Sequence, residues 1–140
     1  MLAHYVILLK NKGKEEDSQR IKGEAITTAE KLISIAPKVG NFFDSYGEML
    51  MMFEDYENAI EQFQKALKLE PHGWFAFSTI AKMGNCYKKI GDLEKAIEFF
   101  EKAQILSERM LPGKIDGLTG KKIDFQEEIK QLKQKLGKSA

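Results

Sequence analysis

The chain has one cysteine, Cys86, and only three prolines in 140 residues. A lone thiol excludes an internal disulfide framework and fits a reducing compartment. With few prolines among abundant Lys, Glu, Ala, Leu and Ile, long stretches are free to be helical. An excess of one charge is also missing: 22 basic and 21 acidic residues leave a net charge of +1. Nucleic-acid binders carry a basic excess, so the balance argues against a nucleic-acid partner. No apolar run approaches the roughly 20 residues of a membrane span. The strongest, Leu2–Leu9, stops at Lys10 and has neither the basic leader nor the small-residue cleavage site of a signal peptide. The expectation is a cytoplasmic protein without a membrane partner.

Signatures of catalysis are equally scarce. The two histidines, His4 and His72, stand apart, and no His, Cys or Asp cluster has metal-ligand spacing. Cys86 has no histidine near it in sequence, and its position in a helical stretch reads as a buried, inert thiol. GLTGKK (Gly117–Lys122) lacks a phosphate loop's first glycine: Ile115 stands five residues before Gly120. These absences imply no enzyme, no cofactor and no metal. Hydrophobic content of 43% and charged content of 31% are those of one globular domain with a real core.

A repeat is what the chain does have. Tyr46–Ala66, YGEMLMMFEDYENAIEQFQKA, aligns with Met83–Ala103, MGNCYKKIGDLEKAIEFFEKA. Gly47 matches Gly84, Asp55 matches Asp92, Ala59 matches Ala96, Phe63 matches Phe100 and Ala66 matches Ala103, each 37 residues on (84 − 47). Upstream the period is 34, from Gly13 to Gly47, Ala25 to Ala59 and Pro37 to Pro71. Small residues held in register among bulky ones point to helices whose backbones approach closely.

This pattern resembles the tetratricopeptide-repeat (TPR) family, W-x2-L-G-x2-Y…A-x3-F…P. One copy supplies Phe43, Tyr46, Gly47, Leu50, Ala59, Phe63 and Pro71, the next Ile80, Met83, Gly84, Tyr87, Ala96 and Phe100. The first copy keeps Gly13, Ala25 and Pro37. The resemblance implies an all-α fold, an α-α superhelix (TPR-like solenoid) of about three helix pairs plus a C-terminal capping helix. As one domain over 1–140, it would have a degenerate repeat at 6–39, repeats at 40–73 and 77–110, a loop at 112–122 and the capping helix at 123–137.

Local signals refine this to seven helices. The first ends at Lys10, and a long one follows from Ser18 to Ala36 with Ile21, Ala25, Ala29, Leu32 and Ala36 on one stripe. Asp55, Asp92 and Asp124 are N-cap residues, and Glu57 and Glu94 favour the first turns. Gly91 suits a left-handed helix end, where the other copy has Glu54 and so requires a differently built turn. Pro71 and Pro112 mark helix exits, and Gly137 is expected just past the last helix. The three extra residues between the good copies fall in Pro71–Phe77 and predict an early start for the next helix, with Trp74, Phe77 and Ala81 on one stripe.

The family implies a non-catalytic interaction module, an adaptor or scaffold that binds a peptide segment or partner protein on the concave face. The first helix of each pair lines that face. Carried over by position, the binding residues are Asn41, Asp44, Ser45, Glu48 and Met52 in one copy and Ser78, Lys82, Asn85 and Lys89 in the next. Asn85 is placed where a side-chain amide can donate to and accept from a peptide backbone. Asp44 and Glu48 would repel a terminal carboxylate, whereas Lys82, Lys88 and Lys89 are basic, so a partner of mixed charge is expected. Met49–Phe53 and the pair Trp74–Phe75 read as core packing or, alternatively, as contact anchors. The alternative function is self-association into a homo-oligomer, and an RNA-binding helical repeat is disfavoured by the charge balance.

Overall fold

In the computed structural model, which describes residues 15–73, 75–110 and 124–139, every regular element is an α-helix. In chain order these are α1 (Glu15–Ile35), α2 (Gly40–Met52), α3 (Tyr56–Leu69), α4 (Ala76–Ile90), α5 (Leu93–Met110) and α6 (Gln126–Ser139). The chain divides into two compact units, Met1–Gly73 and Trp74–Ala140. Each is centred on one helix pair, α2 with α3 in the first and α4 with α5 in the second.

The small residues sit where the paired helices touch. A Cβ built on Gly47 of α2 would lie 2.6 Å from Phe63 Cε1 and 3.1 Å from the Ala59 carbonyl oxygen of α3. At the start of α2, a Cβ on Gly40 would meet Glu70 Oε2 at 2.6 Å and the Ala66 carbonyl at 2.9 Å. In the second unit a Cβ on Gly84 would stand 3.2 Å from the Phe100 ring. Ala59, Phe63, Ala66, Ala96, Phe100 and Ala103 are all buried, so α3 and α5 present an Ala/Phe stripe at helical spacing. Glycine in a helix costs about 1 kcal/mol relative to alanine. Here the close crossing, with a phenylalanine ring against bare backbone, offsets it.

The two interhelical turns of these pairs share one hydrogen-bond plan. Asp55 N donates to the Leu50 carbonyl and Asp92 N to the Tyr87 carbonyl, each at 2.9 Å, closing the helix end with a six-to-one bond. Gly91 supplies the left-handed residue at φ 90°, and Glu54 takes the same conformation at φ 65° despite its side chain. Asp92 Oδ1 then accepts from Lys95 N at 3.2 Å as an N-cap. Asp55 departs from expectation: it stands at the N-cap of α3, but its carboxylate accepts from the Asn58 side chain at 2.9 Å instead of from the backbone.

α6 closes the second unit. Leu132 is buried, the Phe125 ring lies 5.7 Å from that of Phe100, and Phe125 N donates to Gln104 Oε1 at 2.6 Å. Asp124 Oδ1 accepts from Gln126 N at 3.1 Å at the helix start. Gly137, expected beyond the helix, lies inside it, with open space around its Cα. Without a left-handed turn there, a glycine is simply a weak helical residue.

Three further expectations are corrected. α1 starts at Glu15 rather than Ser18. Leu32 does not share the burial of Ile21, Ala25 and Ala29 and is 45% exposed. α4 starts only one residue ahead of its repeat position, because most of the three-residue surplus is taken up in the connection 70–75. Phe75 there is buried, as a core aromatic. Trp74, the loop 112–122 and the expected helix through Leu2–Leu9 lie outside the described residues.

Candidate functional site

The first helix of each pair carries a mainly polar stripe. On α2 it runs Asn41, Ser45, Glu48, Met52, and on α4 it runs Ser78, Lys82, Asn85, Lys89. Both step by four, three and four residues, which keeps each set on one helix face. Each α4 member stands 37 positions after its α2 counterpart (78 − 41). The repeat therefore presents equivalent places with different chemistry: Glu48 where the next copy has Asn85, and Met52 where it has Lys89.

Exposure varies along the stripes. Ser45, Glu48, Asn85 and Lys89 are exposed, whereas Asn41, Met52, Ser78 and Lys82 are half-buried. Asp44 is buried at 6% exposure and has an interaction partner. It falls between the stripe and the face that Phe43 and Gly47 turn toward α3. Glu48 and Lys82 are also engaged. Lys88, assigned to the basic patch from sequence, bonds Glu128 of α6 at 2.6 Å. The basic character of α4 on this stripe therefore comes from Lys82 and Lys89.

Asn41 and Ser45 meet a feature that sequence reasoning missed. A groove of about 340 Å³ opens between α1 and α2. α1 contributes Ala25, Thr28, Ala29 and Leu32, and α2 adds Phe42, Tyr46 and Met49 to Asn41 and Ser45. Tyr46 Oη donates to Glu30 Oε1 at 3.4 Å, joining the two helices. Burial, followed by the Glu30 carboxylate and the hydrogen bond to it, holds the Tyr46 phenol above its ordinary pKa. The signal was present in the Ala25/Ala29/Leu32 stripe, but periodicity cannot separate a groove wall from a core face. Of Met49–Phe53, Leu50 is buried, Met49 lines the groove, and Phe53 packs on Ile21 with Lys22 Nζ 5.3 Å from its ring centre.

Chemistry of the catalytic kind does not gather here. Among the described residues no three His, Cys, Asp or Glu side chains are placed to hold a metal. Cys86 is buried, which pushes its thiol up to about 11. None of the described helices is long and apolar enough to cross a membrane.

Helix pairs in register, glycine against phenylalanine and matched first-helix stripes define an all-α helical-repeat protein. The tetratricopeptide-repeat family model matches residues 46–72 and 78–108, so the chain carries two tetratricopeptide repeats. Its fold is similar to the TPR2B domain of yeast Sti1, solved as a pHsp70 complex, with a TM-score of 0.63 at 18% identity over 100% of this chain and 99% of that one. It is also similar to the type III secretion translocator chaperone SycD of Yersinia enterocolitica, with a TM-score of 0.56 at 17% identity over 99% and 84%. A third similar structure is the N-terminal domain of stress-induced protein-1 (STI-1) from C. elegans, with a TM-score of 0.57 at 13% identity over 94% and 97%. No curated protein matches the sequence.

Proposed function

We propose that this chain is a non-catalytic protein-interaction module that binds a peptide segment or partner protein through the first-helix faces of its repeats. The observation that carries this reading is the pair of equivalent stripes, Asn41/Ser45/Glu48/Met52 and Ser78/Lys82/Asn85/Lys89, on helices otherwise committed to packing. The similar Sti1 domain was solved with pHsp70, which supports a peptide-binding use of the fold. The side-chain amide of Asn85 has no hydrogen-bond partner among the described residues and can serve a peptide backbone as donor and acceptor together. Glu48 on one stripe and Lys82 and Lys89 on the other favour a partner of mixed charge. With Asp44 buried, Glu48 alone supplies the acidic part of that preference.

The test is affinity capture from lysate of the source cell, with wild type compared against Asn85→Ala/Lys82→Glu and folding checked by circular dichroism. A partner retained by wild type and lost by the folded variant supports the module. Equal retention by both counts against the α4 stripe.

Self-association is the second reading, and one observation favours it. Ile35 is 70% exposed, beside the exposed Leu32 and Val39 at the α1–α2 corner. Light scattering across a dilution series tests it, and a monomer at micromolar concentration rejects it.

A further inference from the structure

The groove between α1 and α2 sets a polar edge against an apolar wall. Its two uncommitted polar groups are the Asn41 amide and the Ser45 hydroxyl, one helical turn apart on α2 and without hydrogen-bond partners among the described residues. The other hydroxyls on its walls are engaged. Thr28 Oγ1 donates to the Glu24 carbonyl at 2.9 Å, and Tyr46 Oη to Glu30 Oε1. The remaining lining is carbon from alanine, leucine, phenylalanine and methionine. A volume of about 340 Å³ falls at the small end of the roughly 300–1,000 Å³ typical of ligand sites, which suits one or two bulky side chains.

Charge narrows the occupant. No Lys or Arg lines the groove. Glu30 reaches it through Tyr46, and the Asp55 carboxylate acts on the same phenol. Lys31, the nearest basic residue in sequence, points about 100° round α1 from Leu32. Acidic flanks are disfavoured beside these carboxylates and basic flanks are favoured.

We infer that this groove takes a partner segment bearing a bulky apolar residue next to a basic one. The apolar side chain fills the space between α1 and α2, the adjacent backbone pairs with Asn41 and Ser45, and the basic residue meets Glu30. This rests on the peptide-binding reading above and specifies its partner at the first unit.

The test is an amide-shift titration of the full 15N-labelled chain with the synthetic peptide acetyl-Gly-Ser-Lys-Leu-Leu-Lys-Ser-Gly-amide. Two analogues accompany it, one with both leucines replaced by serine and one with both lysines replaced by glutamate. The expected result is saturable shifts at residues 25–32 and 41–49, with each analogue binding at least about tenfold more weakly. Ser45→Trp, an exposed position whose new side chain fills the groove, should abolish the shifts, and Lys65→Glu, on α3 outside the groove, should leave them. If Ser45→Trp does not fold, Asn41→Ala/Ser45→Ala takes its place, with an expected loss of about tenfold. Three outcomes overturn the inference: equal binding of the serine analogue, shifts confined to α4 or absent, or the same groove signals moving on dilution of the protein alone, which would make a second copy the occupant. If the titration fails but the lysate partner is still lost by Asn85→Ala/Lys82→Glu, the groove inference falls and the module reading stands. If both fail, both fall.

Discussion

Gly47 lies against the ring of Phe63, and 37 residues later Gly84 repeats the contact with Phe100 less tightly. A methyl group at the first position would come within 2.6 Å of the ring, and at the second within 3.2 Å. The first crossing is therefore the tighter of the two, and neither leaves a methyl group ordinary room.

That difference sets a graded outcome for two alanine substitutions. Gly47→Ala should destabilise by about 1–3 kcal/mol, because Phe63 is walled in and the ring cannot move aside cheaply. Gly84→Ala should be close to neutral, since a shift of a few tenths of an ångström suffices and alanine gains about 1 kcal/mol of helix propensity. Urea unfolding followed by circular dichroism measures both. Equal losses would mean that the crossings are not distinct.

Glu54 holds φ at 65° where its counterpart Gly91 holds 90°. A left-handed residue with a Cβ costs roughly 1–2 kcal/mol, partly returned by its smaller unfolded-state entropy relative to glycine. Glu54→Gly should therefore stabilise by about 0.5–1 kcal/mol, and Gly91→Ala should destabilise by a similar amount. The midpoints of thermal unfolding check both signs.

The capping helix is held more by one buried amide than by its ion pairs, Lys88–Glu128 and Lys133–Glu101. Gln104 is 8% exposed and bonds both Phe125 N and Glu108 Oε1, whereas Lys88 and Glu128 are 40% and 33% exposed at their side chains. Gln104→Ala should cost about 1–3 kcal/mol, whereas Lys88→Met should cost no more than about 1 kcal/mol. Hydrogen exchange in α6 is the local readout, with protection lost in the first variant and largely kept in the second.

Cys86 gives the pH dependence. Burial raises its thiol from an ordinary 9.0 to about 11. Between these values the unfolded chain has released its proton and the folded chain has kept it, so the stability from the neutral thiol is fully present below about pH 9 and falls as pH rises toward 11. Cys86→Ala should flatten the alkaline limb of stability against pH. In the native wild type, a thiol reagent at pH 8 should react only as fast as the chain opens.

Much of this was legible in the sequence, for identifiable reasons. Gly47, Gly84, Ala59 and Ala96 mark helix crossings because only small residues tolerate the approach, and Gly91 and Asp92 mark a turn by conformational demand. The surface was less legible. Asp44 keeps a binding-face position by repeat alignment, yet it lies at the edge where α2 turns toward its partner, and burial follows from packing rather than from spacing. Lys88 is captured by a carboxylate 40 positions away, a contact that no local pattern encodes. The groove is formed by α1, the helix whose repeat pattern is most degenerate. Its alanines read equally well as core.

The most direct measurement of the central claim is calorimetric titration of the captured partner's minimal segment, as a synthetic peptide, into wild type, Asn85→Ala, Lys89→Glu and Glu48→Lys. The account expects a one-to-one complex for wild type and a loss of about tenfold or more for at least the Asn85 and Lys89 variants, with unfolding midpoints unchanged. Affinity equal to wild type in all three stably folded variants would contradict it, and would move binding off the first-helix stripes.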